Sequence, residues 1–238
     1  MRNLLMSLFA GLLIPALAWG QEIPKATKEG KEVLQKLVDA CIIDGGLKAV
    51  EGPKGKQLTV ADEDKLKATV AAHAELLTLP LRDALVAGCD QRNEGVRPSY
   101  IALLRSYGRE KKDELALAFG TFYAAEVAED QLKYPVALRL YEEAQQHFGS
   151  AKEPAWQATS LNSIGEVRYS QGEYAKALDC FERALTVSRK LADGPHPVIA
   201  TSISRATMSR EGSRSSTMAS STWRYSSLRL SGNVPRRT

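Results

Sequence analysis

The sequence predicts an all-α protein of antiparallel helix-pair repeats, preceded by a stretch of irregular helices. Three observations carry this. Residue types recur at an interval of forty positions, Tyr134, Ala137, Tyr141 and Ala144 returning as Tyr174, Ala177, Phe181 and Ala184. Apolar residues follow a helical period through most of the chain, and no convincing alternating strand occurs. Small residues stand where two helices would have to cross, with aromatic residues on either side.

The first twenty residues lie outside that pattern. Met1, Arg2 and Asn3 form a short positive head before an apolar run from Leu4 to Ala18, and Ala18-Trp19-Gly20 puts small residues at the cleavage positions of a secretory signal peptide. A spanning helix needs roughly 20 apolar residues, and Pro15 and Gln21-Glu22 interrupt the run. The expected protein is therefore exported to a periplasmic or extracellular compartment. It carries no stable membrane anchor and no cysteine at the cleavage point for a lipid. After a polar linker, Val33, Leu34, Leu37, Val38 and Cys41 share one helical face that ends at Asp44-Gly45-Gly46. Residues 50–58, rich in Gly, Pro and Lys, read as a loop. Gly55-Lys56 does not make a phosphate-binding loop there, because Val50 stands where a Gly is required and Gln57 where a Ser or Thr is.

Asp62 or a neighbour should cap the next helix, which runs to about Leu79, with Leu66, Val70, His73 and Leu77 on one stripe and Pro80 beyond it. Segments Leu81 to Cys89 and Pro98 to Tyr107 read as two shorter helices, split by the turn-prone residues 90–98. The irregular region is thus 21–107. Of the three cysteines, Cys41 and Cys89 fit small buried helix positions and, outside the cytosol, could instead pair with each other. Cys180 reads as an unpaired structural thiol.

Repeats occupy 111–201. Gly165 with Ala177, and Gly120 with Ala137 in the preceding copy, are the small pairs at the crossings. Gly172 terminates the first helix of the later pair. Leu161, Ile164-Gly165, Tyr169, Gly172-Glu173-Tyr174, Ala177, Phe181 and Ala184-Leu185 resemble a tetratricopeptide repeat across residues 158–191. The copy at about 113–147 departs from that pattern by five extra residues between Tyr123 and Tyr134, which calls for a longer turn or first helix. Gly194-Pro195-His196-Pro197, followed by Ala200-Thr201-Ser202-Ile203, resembles the forty-two-residue repeats of the kinesin light chain type. His196 is a connector residue there, since a metal ligand would want partners nearby.

Ala158-Thr159-Ser160-Leu161 returns forty-two positions on as Ala200-Thr201-Ser202-Ile203, so a third repeat begins near 200. From Ser204 the pattern gives way to Ser, Arg and Thr, and two readings of the 202–238 tail stay open. One is a disordered basic tail; the other, favoured because the break falls inside a helix whose opening residues are in place, is a lost reading frame.

The tail holds seven Arg against one Glu, so although the whole chain is formally +4, residues 21–201 are net −3 once Arg2 is set aside. A mildly acidic folded part gives no nucleic-acid footprint. No nucleophile elbow, zinc-protease helix, Cys-x-x-Cys or dinucleotide loop occurs among 238 residues with three His. Neither catalysis, metal nor cofactor is expected.

The resemblance implies an α-solenoid whose first helices line a concave face that receives a protein or peptide partner. By that resemblance the groove positions are Thr159, Asn162, Glu166, Tyr169 and Ser170 in the later repeat, with Glu114, Leu117 and Thr121 in the earlier one. The function implied is an exported scaffold for protein–protein interaction. The alternative is the substrate-recruiting arm of a larger protease-like or signalling protein whose C-terminal domain is missing; a weaker third reading has the Arg-rich tail bind acidic polymers or membranes through counterion release. Because about three repeats are needed to bury a continuous core, helices within 28–107 should pack onto the first repeat over Phe119, Phe122 and Tyr123. The far end, behind Ala184 and Leu185, is expected to be uncapped and prone to self-association.

Overall fold

The computed structural model describes residues 23–52, 55–91, 93–191, 199 and 202–211. The signal-peptide segment, the His196 connector and positions 212–238 of the tail lie outside the described residues. In order the elements are α1 (Lys28–Ile43), β1 (Leu47–Gly52), β2 (Gly55–Val60), α2 (Glu63–Ala72), α3 (Leu79–Asp90), α4 (Arg97–Lys111), α5 (Glu114–Asp130), α6 (Tyr134–Ser150), α7 (Pro154–Ser170) and α8 (Tyr174–Ser188). Residues 202–211 form a further helix, here α9.

The start of α1 is fixed by Thr27, whose side chain accepts from the Gly30 amide at 3.0 Å. The face predicted for it is the buried one, with Leu37 and Cys41 fully covered. Asp62 caps α2 as expected, its Oδ1 accepting from the amides of Asp64 and Lys65 at 3.0 Å.

Two local expectations are corrected. The 50–58 stretch is not a loop: β1 and β2 pair antiparallel from Leu47↔Val60 to Gly52↔Gly55. Among the described residues of this hairpin only Leu47 and Leu58 are buried, so the period-two signal of a half-buried strand is missing. The hairpin is held to α4 and the turn before it, the Leu58 amide donating to the Gly95 carbonyl at 2.7 Å and the Ser99 side-chain Oγ to the Leu58 carbonyl at 2.7 Å. The helix expected to reach Leu79 stops at Ala72, His73 is its exposed C-cap residue beside Glu75, and a short 3₁₀ turn, Ala74–Leu76, follows. Pro80 sits in the first turn of α3, where its missing amide proton costs no hydrogen bond.

From α4 to α8 the chain is regular. Lys112, Leu132, Lys152 and Gly172, twenty residues apart, all take the left-handed conformation that ends one helix before the next. The hydrogen bonds repeat with them: the amides of Asp113, Lys133, Glu153 and Glu173 donate to the carbonyls of Gly108, Ala128, Phe148 and Arg168 at 2.9 Å. Pro98, Pro135 and Pro154 lie in the first turns of α4, α6 and α7.

This spacing corrects the register of the two repeats. α5 and α7 are each 17 residues long, and each is followed by the same three-residue turn, so the earlier copy has no extra residues. The true offset is forty throughout, and Gly165 corresponds to the buried Ala125, not to Gly120. A Cβ at Gly165 would run into the Phe181 ring, so this glycine makes room for the aromatic of the second helix. Gly120 faces backward, where a Cβ would stand 2.6 Å from Arg105 Cγ of α4.

The core has two parts. The larger runs from α1 to Cys180 of α8 and contains an aromatic group, Phe119, Phe122, Phe148 and Trp156, with Phe148 and Trp156 stacked at 5.7 Å and Phe119 edge-on to Trp156 at 4.9 Å. Phe119 and Phe122 meet the aromatic residues of α6 and α7, while α3 and α4 pack onto α5 as expected, with Arg97 of α4 over the Tyr123 ring. The smaller part joins Ala158, Leu161, Ala177, Phe181 and Ala184 to Ile199 and Ala206. The end behind Ala184 and Leu185 is therefore not bare. Ile199 and α9 cover it, and the helical part of the chain continues past Ser204 to residue 211.

Candidate functional site

Asn162, Glu166 and Tyr169 stand at i, i+4 and i+7 on α7, which places them on one stripe of that helix. Forty residues earlier the same stripe of α5 reads Phe122, Glu126 and Glu129, followed by Asp130 beside Glu129 as Ser170 follows Tyr169. α5 and α7 meet through the Phe119–Trp156 and Phe122–Trp156 ring contacts. The two stripes together form a face rich in hydrogen-bond acceptors.

The expected groove residues of the later repeat divide three ways. Thr159 is half-buried and donates to the Ala155 carbonyl at 3.1 Å within its own helix, and Ser170 is exposed. Asn162 is only 4% exposed, and its side-chain oxygen Oδ1 has no hydrogen-bond partner. Glu166 and Tyr169 are engaged by α9: Ser202 Oγ donates to Glu166 Oε1 at 2.7 Å, and Arg205 makes an ion pair with Glu166 Oε2. The Arg205 guanidinium also lies 4.6 Å over the centre of the Tyr169 ring, while Tyr169 OH and Ser209 Oγ share a hydrogen bond at 2.9 Å.

The earlier-repeat residues do not join this face. Glu114 is bonded to His147 of α6 at 2.7 Å, Leu117 packs toward Gly108 of α4, and Thr121 is buried at 1% exposure. They were assigned with a five-residue error in register; the positions equivalent to Asn162, Glu166, Tyr169 and Ser170 are Phe122, Glu126, Glu129 and Asp130. Sequence reasoning missed these four, and the forty-residue recurrence of Tyr134 as Tyr174 was the signal that could have placed them.

Electrostatically the face is acidic. Burial pushes the Glu129 carboxyl up to about 7; the neighbouring carboxylates Glu126, Asp130 and Glu166 add to the rise, and a hydrogen bond from Tyr141 OH at 2.7 Å works against it. Glu126, in turn, is paired with Arg97 of α4.

A second concavity of about 580 Å³ lies between α6 and α8 over Leu161 and Ile164, with Arg168, Lys176 and Arg183 at its rim. Those cations are matched, the first two by Glu173 and the third by Asp179. Nor do the thiols offer a nucleophile. Cys41, Cys89 and Cys180 are free and buried, and burial raises all three, Cys41 to about 11. Among the described residues no group of His, Cys, Asp or Glu is arranged to hold a metal ion, and no helix is long and apolar enough to cross a membrane.

No curated protein and no solved structure matches the chain. The family model for the tetratricopeptide repeat matches residues 114–190 and again 156–204, spans that begin at α5 and at α7 and end after α8 and within α9. Repeats of this kind generally mediate protein–protein interaction and typically belong to non-enzymatic scaffolds. The helix pairs α5–α6 and α7–α8 thus lie in a stretch that is similar to tetratricopeptide repeats.

Proposed function

We propose that this chain is an exported scaffold that holds an extended peptide or a partner helix against the face made by α5 and α7. The contact stripe on α7 is Thr159, Asn162, Glu166, Tyr169 and Ser170, and its continuation on α5 is Glu126, Glu129 and Asp130, Phe122 of that stripe being part of the core. The observation that carries the reading is Asn162. A side-chain oxygen withdrawn from water without a partner costs about 1–3 kcal/mol, and a peptide N–H that enters the stripe as the groups covering it move aside would supply the missing donor. Export rests on the Met1–Gly20 leader, and the kinesin-light-chain-like subtype on the forty-two-residue return of Ala158-Thr159-Ser160 as Ala200-Thr201-Ser202.

The test is selection of binding peptides from a random display library on the intact chain, followed by Asn162→Ala. Loss of the unsatisfied acceptor should leave the fold in place while weakening the selected peptides about tenfold. Peptides that bind the variant as well as they bind the parent would remove Asn162 from the contact.

A second reading, the recruiting arm of a larger chain, draws on the break in residue pattern at Ser204. Re-sequencing the coding DNA from codon 195 onward decides it: further repeats in another frame would support the arm, and none would leave the short scaffold.

A further inference from the structure

The two acidic positions that correspond between the repeats, Glu126 and Glu166, are each occupied by an arginine of the same chain. Arg97 pairs with Glu126 and lies 5.4 Å over the ring of Tyr123. Arg205 pairs with Glu166 and lies 4.6 Å over the ring of Tyr169. Tyr123 precedes Glu126 by three positions and Tyr169 follows Glu166 by three, so each presents a π-face one turn from its carboxylate, on opposite sides of it. In both, the arginine Nε is buried and unpartnered, so the guanidinium is held by its terminal nitrogens and its flat face. The same three residue types, though not the same order along the helix, thus meet twice, the arginine coming from α4 in the first case and from α9 in the second. We infer that the Glu–Tyr pair on the first helix of each repeat is an arginine-receiving site, and that Arg205 fills the outer one in place of an arginine from a partner peptide.

The two sites differ in how firmly they are filled. The Arg97 side chain is 6% exposed and sits in the main core, so its guanidinium is a fixed part of the α4–α5 junction. The Arg205 side chain is 41% exposed, on a ten-residue helix held by a small cluster around Ile199 and Ala206. The outer site is therefore the one that can exchange its occupant. Its surroundings suit a cation: Asn162 Oδ1 is an unpartnered acceptor one turn before Glu166, and the Glu166 carboxylate adds to the rise of Glu129 on the neighbouring stripe. An incoming arginine would replace Arg205 without changing the charge balance of the face. Arginine is preferred to lysine because a planar guanidinium can stack on Tyr169 and reach Glu166 at once.

This inference rests on the reading of the α5–α7 face as a ligand face, and it adds the class of ligand. It is tested on the full chain with two fluorescent probes, a tetra-arginine and a tetra-lysine peptide. Arg205→Ala should bind tetra-arginine about tenfold more tightly than the parent and gain less for tetra-lysine. Adding Glu166→Gln should cancel the gain, while adding Glu182→Gln, an exposed acid on α8, should not. In the parent chain, excess tetra-arginine should speed hydrogen exchange of amides 202–211 as Arg205 is displaced, a reading that needs no variant. No gain with Arg205→Ala, equal losses with Glu166→Gln and Glu182→Gln, or exchange at 202–211 that ignores the peptide would each overturn the inference. Selected peptides that need Asn162 but ignore Glu166 would overturn it too, while leaving the peptide-holding reading intact.

Discussion

Glu129 shows how a single buried acid makes this face sensitive to pH. An ordinary glutamate titrates near 4.5, and here the carboxyl is held up to about 7. Between those values the folded chain binds the proton that the unfolded chain has released, so the contribution is complete below the lower value and is lost as pH rises through about 7. Glu129→Gln keeps an acceptor for Tyr141 OH and removes the charge. The variant should match the parent at pH 4 and exceed it at pH 8 by on the order of 1–2 kcal/mol, read from urea unfolding at the two pH values. Equal stability at pH 8 would mean that the carboxylate is well solvated. The sequence made Asn162, Glu166 and Tyr169 legible because the motif residues around them, Leu161, Ile164-Gly165 and Phe181, fix the helix register. It did not show that Glu166 and Tyr169 are already engaged, since Arg205 lies thirty-nine residues from Glu166 in a stretch with no repeat signature.

At the scale of elements, the turns carry the regularity. Three of the four left-handed turn positions are Lys112, Leu132 and Lys152, and the fourth is Gly172. A Cβ at Gly172 would meet nothing within 4 Å, so Gly172→Ala isolates the backbone cost of a positive φ. That variant should lose about 1 kcal/mol in denaturant unfolding without a change in m-value. A neutral outcome would mean that the α7–α8 turn relaxes. The helices themselves were readable from apolar spacing and capping residues such as Asp62. The hairpin was not, because each strand buries one side chain and Gly-Pro-Lys-Gly looks like any loop. The five-residue slip in the first repeat had a similar origin: Gly120 resembles the glycine of the motif, but its small size serves α4 and not α6.

For the whole molecule, α9 covers the outer face of the α7–α8 pair. Ala206 is fully buried with Phe181 and Ala184, so Ala206→Asp places a charge in that contact and should cost about 2–4 kcal/mol. The variant should also expose the face behind Ala184 and self-associate, visible as a larger mass in light scattering. A monomer with the parent's melting temperature would show that α9 contributes little. The α4–α8 array extends the regular part beyond what composition suggested, because α4 leaves through the same turn as the repeat helices and so packs onto α5 as a preceding half-repeat.

The central claim is that α5 and α7 form the ligand face, and hydrogen exchange on the intact chain with and without a selected peptide tests it most directly. The account predicts slower exchange on binding along α7 around Asn162 and along α5 around Glu126 and Glu129, with α6 and α8 unchanged. Protection confined to α6 and α8, around the cleft over Leu161, would contradict it and move the interaction to the opposite side of the repeats.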